Sequence, residues 1–175
     1  MKKVLFILVF ALFACFTFGQ EQEEGISAGD IELSFNGMVF TTVGTDNSTT
    51  YGNIFVSFGT YITRRLLIGI APGLSLSTYE GETDVDFSFQ GFSNFNFVVN
   101  KKAIPYIRAS FYQYSFDFSE DSKFIDYSII QGGIGIKVFF SALAAWDTSL
   151  NAGYGLAESS EGVTLMLLTG ITFKF

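Results

Sequence analysis

Histidine is absent from all 175 residues, which removes imidazole general acid–base catalysis and the commonest zinc ligand. Cysteine occurs once, as Cys15, in a segment expected to be cut away, so the mature chain is left without a disulfide, a thiol nucleophile or a thiolate metal site. Basic residues are scarce as well, ten against seventeen acids. Proteins that hold nucleic acid neutralise phosphates with Lys and Arg, so no nucleic-acid partner is expected. Beyond the amino-terminal region, no run reaches the roughly 20 apolar residues of a spanning helix. What the chain has in excess is apolar bulk. With 49% hydrophobic residues and 22 phenylalanines it is no disordered chain, and its length fits a single domain.

The amino terminus accounts for part of that excess. Lys2 and Lys3 precede an apolar run over residues 4–16, too short to span a membrane as a helix, and the pattern is that of a secretory signal peptide. Cleavage is expected after Gly19, with Thr17 and Gly19 as the small residues, so residues 1–19 leave and Gln20 becomes the new terminus. A lipoprotein signal ending at Cys15 is the alternative, opposed by the bulk of Phe13 before it and of Phe16 and Phe18 after it. Loss of the two lysines leaves 8 basic and 17 acidic residues, a net charge of −9. Residues 20–28, QEQEEGISA, show no periodicity and are expected to form a short mobile lead-in to a domain over residues 29–175.

From residue 29 onward apolar and polar residues alternate with period two, the signature of strands with one apolar face. The last stretch, residues 163–175, shows it over about a dozen residues: Val163, Leu165, Leu167, Thr169, Ile171, Phe173 and Phe175 face one way, and Thr164, Met166, Leu168, Gly170, Thr172 and Lys174 the other. Seven similar segments precede it, over about residues 29–39, 51–62, 66–77, 85–99, 103–118, 125–140 and 146–156. Pro72 cannot donate to a ladder, so an irregularity is expected in the third. The fifth and sixth change phase, near Tyr112 and near Ile129. A bulge or register correction is expected where these breaks face each other.

Eight strands joined by hairpins form an antiparallel up-and-down meander. In lipid only a helix or a closed barrel satisfies every backbone N–H and C=O, so the expected fold is an all-β, eight-stranded antiparallel transmembrane β-barrel. The connections divide by chemistry. One end carries short turns with Arg64, Arg65, Lys101 and Lys102; the other carries longer acidic loops with Asp46, Glu80, Glu82, Asp84, Glu120, Asp121, Glu158 and Glu161. Tyr61, Tyr106 and Trp146 at the short-turn end, and Tyr51, Tyr79 and Tyr127 at the loop end, are expected to sit at the membrane borders. A soluble lipocalin-like barrel would turn the apolar face inward instead. The Gly, Ser and Asn of the opposite face suit a narrow lumen better than a solvated exterior.

The alternation together with the ITFKF ending of residues 171–175 resembles the OmpA/OmpX-type family of small outer-membrane β-barrels, porin-like proteins of the Gram-negative envelope. That resemblance covers the whole mature chain and implies both termini in the periplasm. It also implies an assembly signal at Phe175, Phe173 and Ile171 read by the barrel-assembly machinery, and contact with outer-membrane lipid and lipopolysaccharide. No cofactor is implied. Five charges are expected in the lumen, Glu32, Arg108, Lys137, Asp147 and Lys174, either as a plugging network of paired ions or as the constriction of a small pore. The outer carboxylates are candidates for a cation or an extracellular partner, although residues 80–84 lack a complete calcium-loop pattern. Enzymatic outer-membrane barrels rely on histidine, so no enzyme is expected, and the role is structural, in envelope integrity or surface interaction, or else that of a small channel.

Overall fold

The structure, a computed structural model, describes residues 25–43, 50–79, 82–116, 127–156 and 163–175. Eight strands run in chain order: Ile31–Val43 (β1), Thr50–Tyr61 (β2), Leu66–Tyr79 (β3), Glu82–Asn96 (β4), Ala103–Gln113 (β5), Ser128–Phe139 (β6), Ala144–Gly155 (β7) and Val163–Lys174 (β8). Each pairs antiparallel with the next, and β8 returns to β1 to close the barrel. The seam is complete to the last residue, since Ile31 and Phe175 exchange both backbone hydrogen bonds at 2.9 Å.

Alternation sorts the side chains as the sequence pattern requires. Ile31, Phe35, Val39, Ile54, Phe58, Ile68, Ile70 and Leu74 are exposed on the outer surface, while Ser34, Asn36, Asn53, Ser57, Asn94 and Ser149 are buried inside. That arrangement is the inverse of a lipocalin-like barrel. A continuous apolar exterior of this extent needs lipid around it.

Two of the short turns use one device. In the β2–β3 turn Thr63 Oγ1 accepts the N–H groups of Arg65 and Leu66, at 3.2 and 3.0 Å. In the β6–β7 turn Ser141 Oγ does the same for Leu143 and Ala144, at 3.3 and 3.0 Å. A hydroxyl at the start of the turn thus satisfies amides that no strand reaches. The irregularity expected at Pro72 is present: the β2–β3 ladder lacks the pairs of Val56 with Pro72 and of Ser57 with Ala71 but keeps one register on both sides.

Four expectations need correction. First, residues 25–28 of the lead-in have a fixed place. Gly29, at φ +94°, turns the chain away from β1, and the segment reaches across the short-turn mouth to the far wall, where the Ile26 N–H bonds to Val99 O at 3.2 Å. Ile26 is fully buried in an apolar cluster with Tyr61, Leu67, Ile104, Phe139 and Ala145.

Second, Glu82 and Asp84 do not lie in a loop. β3 and β4 pair up to Tyr79↔Glu82, leaving only residues 80–81 between them. The pair Thr78↔Thr83 extends the ladder into what was expected to be loop.

Third, β5 and β6 contain no bulge. Their register is constant from Ala103↔Val138 to Gln113↔Ser128, and the bond from Tyr114 N–H to Tyr127 O at 3.1 Å continues it. Tyr112 and Ile129 face inward and are buried, in phase with the rest of their strands. The apparent phase change arose because aromatic side chains pack the lumen toward the loop end, where Tyr112 meets Phe55 edge-on at 5.9 Å.

Fourth, Tyr61 and Tyr106 do not border the membrane. Both are buried in the lumen, drawn there by carboxylate partners. Trp146 does lie exposed on the outer face, while Tyr127 is half-buried against Tyr114.

Candidate functional site

An eight-stranded barrel encloses only enough space for side chains or one small ligand. Here the inner space is filled in tiers, and the five charges expected inside fall into three separate groups.

The first group is the charged tier of Glu32 on β1, Lys137 on β6 and Asp147 on β7. Lys137 Nζ donates to both oxygens of Glu32, at 2.6 and 2.5 Å, and Tyr61 OH donates to Glu32 Oε2 at 2.8 Å. Lys137 is wholly shielded from solvent, and its ammonium lies 5.7 and 5.6 Å from the ring centres of Tyr61 and Tyr106. Asp147 stands beside Lys137 in the β6–β7 ladder and accepts Tyr106 OH at 2.6 Å. Buried opposite charges are tolerated when both the pairing and the remaining hydrogen bonds are supplied, and the two tyrosines supply them. Room for Tyr106 comes from Gly135, where a Cβ would fall on the tyrosine ring. Gly135→Ala is therefore expected to push Tyr106 off Asp147 and lower stability by about 1–3 kcal/mol, measured by urea unfolding in lipid vesicles.

The second group ties down the lead-in. Lys174, at the end of β8, donates to Gly25 O at 3.1 Å and lies 3.7 Å from Asp30. It holds the segment that carries Ile26, and this segment packs into the short-turn mouth.

The third is Arg108 on β5. Its guanidinium lies 4.4 Å from the centre of the Phe92 ring, and it makes neither of the two ion pairs found among the described residues. Toward the loop end the walls are joined by neutral bonds: Gln90, Ser110 and Gln131 form a triangle at 3.2–3.4 Å, and Tyr112 OH donates to Asn53 at 2.9 Å.

Tyr61 and Tyr106 are the members of this site that were assigned elsewhere from the sequence. Their strand phase held the signal, since each falls on the inward set of its own strand. Asp30 shares the inward phase of Glu32 in the first alternating segment, whereas Ile26 carries no comparable signal.

Of the outer carboxylates, Asp46, Glu80, Glu120, Asp121, Glu158 and Glu161 lie outside the described residues, as do residues 1–19. Phe175 and Ile171 are exposed on the outer face and Phe173 is half-buried, in a row along β8.

No family model matches the sequence, and no curated protein sequence matches it. Solved structures do. The barrel is similar to Neisserial surface protein A (NspA), with a TM-score of 0.65 and 15% identity over 84% of this chain and 99% of the other. It is also similar to the N-terminal β-barrel domain of OprF from Pseudomonas aeruginosa, with a TM-score of 0.55 and 17% identity over 87% of this chain and 100% of that domain. At such identities the likeness is one of fold. With its apolar exterior and closed antiparallel meander, the chain has the fold of an eight-stranded transmembrane β-barrel.

Proposed function

We propose that this protein is a non-enzymatic integral barrel of the outer membrane, with a structural, envelope-integrity or surface-interaction role. The observation that carries this reading is the double closure of the lumen, by the Glu32–Lys137 tier and by Ile26 beneath it. A barrel plugged with paired ions and an apolar stopper is built to stand in a membrane rather than to pass solutes. With an even strand count both termini lie on one side, which we assign to the periplasm. The loop end of the barrel then lies on the outer side, and we assign its acidic residues to contact with lipopolysaccharide or an extracellular partner. The outward row of Phe175, Phe173 and Ile171 is the surface offered to the assembly machinery, and residues 1–19 are the export signal.

The alternative is a small porin-like channel. It is favoured by one observation: amide atoms of Asn53, Gln90, Asn94, Asn96, Gln131 and Asn151 are buried in the lumen without a hydrogen-bond partner, as hydrated walls would be. Single-channel recording of the refolded mature protein in a planar bilayer separates the two readings, using preparations whose gel mobility changes on boiling. Silence from the folded barrel is expected; steady discrete openings would establish the channel.

Membrane insertion has its own test, because Trp146 is the only tryptophan and lies on the outer face. In vesicles containing brominated lipid its fluorescence is expected to be strongly quenched, and a soluble barrel would show no quenching.

A further inference from the structure

Arg108 is the one cation of the lumen that neither of the ion pairs among the described residues engages. Both oxygens of Glu32 are taken by Lys137 and one also by Tyr61. Asp147 is bonded to Tyr106 and stands beside Lys137 in the ladder, so two carboxylates lean on a single lysine. Arg108 is buried nonetheless, and its Nε and Nη1 have no partner. The Phe92 ring covers one face of the guanidinium and leaves its N–H edge available.

The surroundings of that edge are amides. Asn94 is the β4 residue opposite Arg108, and Asn96 is the next inward residue along β4. On the other side the opposite residue is Gly133, and the side chain of its own neighbour Asn151 occupies the space a Cβ at Gly133 would need. Asn151 thereby leans toward β5. Asn94 Oδ1, Asn151 Oδ1 and both polar atoms of Asn96 lack partners, as the arginine nitrogens do. A buried charge with unanswered N–H groups carries a desolvation cost that something must offset. An amide presents either its oxygen or its NH2 after a half-turn, so these side chains suit an anion and its residual water equally.

We propose that Arg108, with Asn94, Asn96 and Asn151, forms a binding site in the lumen for a small hydrated monovalent anion of the size of chloride. The guanidinium edge supplies two charge-assisted donors, and Asn96 supplies a third through its NH2. A narrow barrel admits one small ion, and because the nearby Lys137 is already engaged by Glu32 a divalent anion would be left uncompensated. Glu32 and Asp147 are the carboxylates that share the lumen with it, and both are engaged by Lys137 or tyrosine hydroxyls.

The test uses the mature protein refolded in sodium bromide and crystallised from it. An anomalous bromide peak within hydrogen-bond distance of the Arg108 guanidinium is expected, and water alone at that position would overturn the site. In parallel, the urea midpoint in vesicles is compared in chloride and in gluconate at equal ionic strength. A higher midpoint in chloride is expected, reduced in Arg108→Lys and lost in Arg108→Gln. A chloride effect equally large in Arg108→Gln would overturn the assignment. If Arg108→Gln does not fold, the bromide map of the unaltered protein decides. The result is independent of conductance, because a plugged barrel and an open one can both hold the ion.

Discussion

Lys137→Ala is expected to destabilise the barrel by about 3–5 kcal/mol, read as a fall in the urea midpoint in lipid vesicles. The size follows from what remains behind. Glu32 is almost wholly buried and would keep only the Tyr61 hydroxyl, and Asp147 would lose the lysine beside it. Most of the loss is the cost of an uncompensated charge rather than the worth of the pair. Removing both members should therefore hurt less: Glu32→Gln combined with Lys137→Met is expected to recover a large part of the stability, a coupling that a double-mutant cycle measures directly. A single Lys137→Ala variant as stable as the parent would show that the tier contributes nothing to holding the barrel.

The second large effect concerns passage through the lumen, and it depends on two closures lying in series. Deleting residues 20–28 from a chain that starts at Gln20 removes Ile26 and opens the apolar cluster at the short-turn mouth. The Glu32–Lys137 bridge still spans the lumen above it, so this variant is expected to stay silent in a planar bilayer. Glu32→Ala with Lys137→Ala clears the charged tier but leaves the stopper seated, and silence is expected again. Together the changes should convert the barrel from no measurable openings to discrete ones. Openings in the deletion variant alone would mean that the ion pair is no barrier. Silence in the combined variant, with heat-modifiable mobility intact, would place the obstruction nearer the loop end, at Phe55 and Tyr112.

Much of this architecture was legible from alternation alone, since period two assigns every strand residue to lipid or lumen once one residue of the strand is placed. Glu32, Arg108, Lys137, Asp147 and Lys174 were all placed inside on that basis, and all five are buried. What misled was residue type overriding phase. Tyr61 and Tyr106 belong to the inward sets of β2 and β5, yet as tyrosines they were assigned to the membrane border. Tyr112 and Ile129 give the appearance of a phase break because they are large and apolar, although a narrow lumen also takes such groups where no charge needs solvating.

Grouping was harder than facing. Lys137 and Glu32 lie 105 positions apart, and their contact depends on how far the sheet curls around, which no local pattern records. The same holds for Lys174, which serves the lead-in through Asp30 rather than joining Glu32, its partner in the β1–β8 ladder. Ile26 was illegible for a different reason. A lone apolar residue in an acidic segment has no period, and its burial exists only because a finished barrel offers it a mouth.

The seam between β1 and β8 sets the order in which this molecule can form. Its pairs join β1 to β8, from Val43↔Val163 out to the backbone bonds of Ile31 with Phe175. Closure therefore waits for β8 and must overcome the entropy of a loop that holds all six other strands, so this step is intrinsically slow. Until then β1 and β8 are open edges, able to pair with other chains. A growing chain cannot finish the barrel, and an intermediate stalled before closure is the species most prone to aggregate. The stopper, although it comes earliest of the described segments, has no socket until that late event and is expected to dock last of all.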